Sequence, residues 1–104
     1  MACKIIWSLD AREDLRQIVR FIRQDNPDAA AAFGYALIKR VDVLENFPKF
    51  GRRVPEFDDE NIREVIHRPY RIIYLVMDEQ RAVAIARVWH GARGEPELPA
   101  KLQF

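Results

Sequence analysis

The apolar positions alternate between period two and helical spacing along the chain, and each change of period marks an element. Cys3, Ile5 and Trp7 share one face at period two, which predicts a short strand over residues 3–7. Ala11, Leu15, Ile18, Val19 and Ile22 then recur at helical spacing and predict an amphipathic helix over residues 10–25. Ser8 or Asp10 can cap it, and Asp10 with Glu13 has capping-box spacing. Asp25-Asn26-Pro27 interrupts the stripe, since asparagine suits an N-cap and proline is tolerated at the first helical position. Ala30, Gly34, Leu37, Val41 and Leu44 predict a second helix over residues 27–46, stopped by Pro48. Glycine at position 34 costs about 1 kcal/mol relative to alanine, and a close approach of the first helix is its expected compensation. The short link makes the two helices an antiparallel hairpin.

Residues 48–61 read as a loop, basic at its start and acidic at its end. Strands are predicted at 62–67, 70–77 and 81–90. The middle one, Tyr70 to Met77, is apolar on both faces apart from Arg71, the pattern of a central strand covered on both sides. The expected fold class is α+β, in the order β-α-α-β-β-β, with an antiparallel sheet packed against an N-terminal helical hairpin. A length of 104 residues fits one domain over 1–104, with 94–104 as a C-terminal tail.

Composition narrows the class. Apolar residues make up 49%, enough for a core, and charged residues 32%. The net charge of +1 carries no argument for nucleic acid, although 13 of the 17 basic residues are arginine, the side chain suited to bidentate phosphate or carboxylate contact. Cys3 is the single cysteine, so no intrachain disulfide can form, which fits a reducing compartment. No signal pattern opens the chain and no apolar run approaches the ~20 residues of a membrane helix. The expectation is a cytoplasmic protein without membrane contact. Cys3, His67 and His90 form no recognisable metal spacing, and no glycine-rich phosphate loop is present, so no cofactor or metal is expected.

The order of several short motifs resembles the RelE/ParE superfamily of toxins from type II toxin–antitoxin systems, over roughly residues 4–93. Trp7-Ser8 leads into a helix carrying Ala11 and Asp14-Leu15, and Leu44 precedes Pro48. Gly51-Arg52-Arg53-Val54-Pro55-Glu56, Ile62-Arg63-Glu64, Tyr70-Arg71-Ile72-Ile73-Tyr74 and Val88-Trp89-His90-Gly91-Ala92-Arg93 follow. The resemblance implies a growth-inhibiting toxin of plasmid-stabilisation type, held by a cognate antitoxin in a hetero-oligomer. RelE-like members cleave mRNA on the ribosome; ParE-like members poison DNA gyrase and have no known catalytic residues. The uninterrupted hairpin and the Val-Pro-Glu loop look ParE-like. So does residues 94–104 lacking the tyrosine that RelE-type enzymes often carry.

Two readings attach to each candidate site. A three-residue turn at 78–80 sets Arg71 opposite Arg87, two like charges that need an anion, a carboxylate or solvent between them. Arg71 is then a phosphate or target contact, or a structural partner of Glu64 or another acid. If the chain is a nuclease, Glu56, His90 and Arg71 supply base, acid and cation, with Arg93 adding charge. Otherwise His90 and Arg93 tie down the strand end. Arg12, Arg16, Arg20 and Arg23 share one face of the first helix and are either a target- or antitoxin-contacting row or a solvated face. Phe21, Tyr35 and Phe47 are core margin or an antitoxin-docking surface.

Overall fold

The computed structural model describes residues 2–104. The first strand, β1, is Lys4–Trp7, and the helices α1 and α2 are Leu9–Asp25 and Pro27–Asp42. Ser8 is the cap that α1 uses: its Oγ accepts from the Ala11 amide at 3.1 Å and donates to the Ala86 carbonyl at 3.0 Å. Asn26 ends α1 and caps α2, its Oδ1 accepting from the Ala29 amide at 3.0 Å, with Pro27 at the first helical position. The second helix closes four residues early, because Val43–Glu45 tightens into a 3-10 turn.

Four further strands follow: β2 (Arg52–Arg53), β3 (Ile62–His67), β4 (Tyr70–Met77) and β5 (Ala82–His90). They form one five-stranded sheet in the order β1-β5-β4-β3-β2. The α+β class and the helical hairpin agree with expectation. The sheet itself is mixed rather than wholly antiparallel, because β1 runs parallel to β5. The chain between them, through the hairpin and then β2, β3 and β4, gives the long connection that a parallel pair requires.

The central strand β4 has the double cover its pattern implied. On the helix side, Leu37, Val41 and Leu44 pack with Ile72, Tyr74, Val76, Val83, Ile85 and Val88. On the other side, Val54, Ile73 and Trp89 form a second cluster with Phe57, Ile62 and Leu98. The C-terminal tail lies over this second face. Gly94 and Glu97 accept hydrogen bonds through their carbonyls from Trp89 Nε1 and Arg87, and Gln103 from the Leu9 amide.

Two glycines behave differently from each other. A Cβ at Gly51 would collide with the Glu64 carbonyl and lie 2.7 Å from Tyr74 Oη, which already takes the Gly51 amide at 2.9 Å. A Cβ at Gly34 would meet Val19 Cγ2 at 3.6 Å, an ordinary contact. The close helix approach expected to require Gly34 is therefore absent.

Candidate functional site

Arg71 enters the sheet from β4 and is held by two acids. Its Nε donates to Glu64 at 2.5 Å, and its terminal nitrogens grip Glu56 bidentately at 2.8 Å each. Glu64 is fully buried and also accepts from Arg52 at 2.7 Å. Hydrogen bonding to Arg71 holds the Glu56 carboxyl far below its usual value of 4.5, at about 2, and the two acids raise the Arg71 guanidinium in turn. The Arg52–Glu64–Arg71–Glu56 chain pins the 51–61 loop to the second face of the sheet.

Arg71 does not oppose Arg87. Its partner across the strands is Trp89, and Arg87 faces Ile73. Two displacements produce this. The β4–β5 turn is four residues long, closing at Met77↔Ala82 with Arg81 in the left-handed region (φ 48°), and a bulge between Ile73 and Tyr74 adds one more residue on β5. Arg87 meets Asp14 of α1 instead, at 2.8 and 2.9 Å, and Asp14 also accepts from the Val88 amide at 3.0 Å. The Asp14 bonds raise the Arg87 guanidinium.

His90 lies across from Tyr70, one position on from the Arg71–Trp89 pair. Side chains alternate along a strand, so His90 and Arg71 point to opposite faces. The rings of His90 and Tyr70 meet edge to face at 5.1 Å, and Tyr70 meets Phe33 of α2 at 5.4 Å. His90 Nδ1 accepts from the Ala92 amide at 3.0 Å, which leaves Nε2 as the donor. Arg93 is exposed and sits over Trp89, 3.9 Å from the ring centre, with Arg87 at 5.0 Å from the same ring. The structure thus brings Glu56 to Arg71 and Arg93 to Trp89, and leaves His90 with the helix-side aromatics.

Arg12 donates to the Trp7 carbonyl at 3.2 Å and Arg16 pairs with Glu13; Arg20 and Arg23 are exposed further along α1. Arg12 and Arg16 flank a groove of about 720 Å³ beside β1, floored by Ile5, Leu15, Val19 and Ile38. Phe21, Tyr35 and Phe47 are 69%, 68% and 64% exposed, so none is core margin. Among the described residues no group of three or more His, Cys, Asp or Glu could hold a metal, and no helix is long and apolar enough to cross a membrane.

Of the two acids that matter most, Glu64 is marked by the sequence as a structural partner of Arg71, whereas Asp14 is missed as the partner of Arg87. Each does carry a signal: both are carboxylates on an otherwise apolar stripe, Asp14 between Ala11 and Ile18, Glu64 between Ile62 and Ile66. A buried acid there requires a buried partner.

Residues 5–94 match the family model described as the ParE toxin of the type II toxin–antitoxin system parDE. The candidate toxin Y4kP of Sinorhizobium fredii is 31% identical over 97 residues, covering 91% of this chain and 95% of that protein. Three solved structures share the fold. A chain of the chromosomal ParDE system of P. aeruginosa superposes with a TM-score of 0.69 at 18% identity, covering 86% of this chain and 96% of that one. A chain of the Mycobacterium tuberculosis RelBE2 toxin–antitoxin complex gives 0.59 at 22% identity, covering 86% and 92%. An arginine double mutant of E. coli RelE in the free state gives 0.56 at 16% identity, covering 90% and 88%.

Proposed function

We propose, from the premise that the chain belongs to the ParE toxin family of type II toxin–antitoxin systems, that it arrests growth by contacting DNA gyrase rather than by cutting RNA. The observation that carries this reading is the separation of Arg71 and His90 on opposite faces of the sheet. A nuclease that used Glu56, Arg71 and His90 would need all three around one phosphate. Glu56 is spent on Arg71 and holds its proton only near pH 2, so it is a poor base at neutral pH. The protein then needs no catalytic residue, and it acts in the cytoplasm, where gyrase is found.

The partner that restrains it is an antitoxin made beside it, in the manner of a plasmid-stabilisation module. The groove beside β1 suits such a partner. β1 is an edge strand with an open flank, the groove floor is apolar, and Lys4, Arg12 and Arg16 rim it. An acidic segment that folds on binding can add to that edge and bury the floor.

The test is His90→Gln, which keeps a hydrogen-bond donor and loses proton transfer. The altered protein is expected to arrest colony formation as the native chain does, and both are expected to inhibit gyrase supercoiling in vitro. General acid–base help is typically worth about 10²–10⁴-fold, so a nuclease would lose its effect. A folded, antitoxin-binding His90→Gln protein that no longer arrests growth turns the reading toward ribosome-dependent mRNA cleavage.

A further inference from the structure

We infer that the cleft between α1 and the end of β5 is the surface through which the toxin grips an acidic segment of its protein target, an inference that rests on the proposed target-contacting function. The cleft has a volume of about 420 Å³ and lies on the opposite flank of α1 from the β1 groove. Its walls are Ile18, Val88 and the largely exposed ring of Phe21, and its polar groups are Gln17, Tyr70, His90 and Arg93.

Charge decides the kind of partner. Asp14 is the one carboxylate in the lining, and it is already taken by Arg87 and the Val88 amide. Arg93 has no carboxylate partner among the described residues, and its guanidinium sits 3.9 Å over the centre of the buried Trp89 ring. The Ala92 amide occupies His90 Nδ1, so the imidazole presents Nε2–H as a donor. A guanidinium stacked on Trp89 and an imidazole N–H beside apolar walls match a carboxylate-bearing segment with an adjoining apolar side chain, while the Gln17 amide is taken by Glu13. The Phe21 ring, 69% exposed on a helix, supplies the anchor such a contact needs.

The experiment places a negative charge in the cleft in two independent ways. Arg93→Glu reverses the stacked cation. Gln17→Glu adds a carboxylate on the exposed side of α1 and leaves the Trp89 stack untouched. Lys49→Glu makes the same charge reversal in an exposed loop at the far end of the sheet and serves as control. Melting temperature and antitoxin pull-down establish that each folds. Growth arrest on induction is read alongside inhibition of the gyrase holoenzyme and binding to a labelled single-stranded DNA 20-mer.

Both cleft variants are expected to lose growth arrest and to raise the half-inhibitory concentration at least ~10-fold, the size of a hot-spot loss, while Lys49→Glu matches the native chain. Cleft variants that fold and arrest growth normally overturn the inference, whatever the target. Oligonucleotide binding by the native chain that both cleft variants abolish also overturns it, and gives the cleft to nucleic acid. If the native chain arrests growth without inhibiting gyrase, the gyrase reading falls and the growth-arrest comparison alone judges the cleft. A native chain that arrests nothing overturns both.

Discussion

Arg71 is the residue whose role changes most between a list of candidates and a three-dimensional account. A cation on an apolar strand invites a ligand, yet all three of its guanidinium nitrogens donate to Glu64 or Glu56. Removing it strands the fully buried Glu64 with only Arg52. Breaking a buried pair in this way costs about 3–5 kcal/mol. Arg71→Gln is therefore expected to lower the urea-unfolding free energy by that amount, and the double change Arg71→Gln with Glu64→Gln to regain much of it. Equal stability of native and Arg71→Gln proteins would sink the structural role. The face of Arg71 and its bond to Glu64 were legible in sequence, but its register against β5 was not. Two one-residue displacements, a longer turn and a bulge, cancel in the period-two alternation. They leave Arg71 and Arg87 on the expected common face while sliding them out of register.

At the scale of elements, periodicity located both helices and four of the five strands, because each buries a stripe long enough to count. It carries no information about strand direction, so the parallel pairing of β1 with β5 was illegible until the crossover was seen. A two-residue strand such as Arg52–Arg53 has no period at all. The helical hairpin offers a clean test of what local propensity contributes. Gly34 lies inside α2 with room for a methyl group 3.6 Å from Val19 Cγ2. Gly34→Ala is expected to stabilise the fold by about 1 kcal/mol through helix propensity alone, raising the thermal midpoint without altering antitoxin binding. A fall in the midpoint would mean that the two helices approach more closely in solution than this packing implies.

For the whole molecule, acid is the condition that tests how the two faces of the sheet are held. On the helix side, burial beside Phe33 keeps the His67 imidazole below its ordinary value of 6.5, with Arg40 adding to the effect. On the other face, Arg71 holds Glu56 at about 2 against an ordinary 4.5. Both groups bind protons more weakly folded than unfolded, so both contribute stability at neutral pH that is lost on acidification. The losses occupy different windows. His67 weakens the fold as pH drops below about 6.5, and Glu56 weakens it from about 4.5 down toward 2. The Glu56 contribution is on the order of 2 kcal/mol once the solvent screening of a side chain 25% exposed is allowed for. Urea midpoints measured across this range are expected to fall in two steps. Glu56→Gln should flatten only the lower step, because glutamine has no proton to take up, and His67→Phe should flatten only the upper. A Glu56→Gln protein with the native acid profile would show that the bidentate contact with Arg71 does not persist in solution. In that case the 51–61 loop would be free to leave the second face, and Arg71 would again be open to an anion from outside.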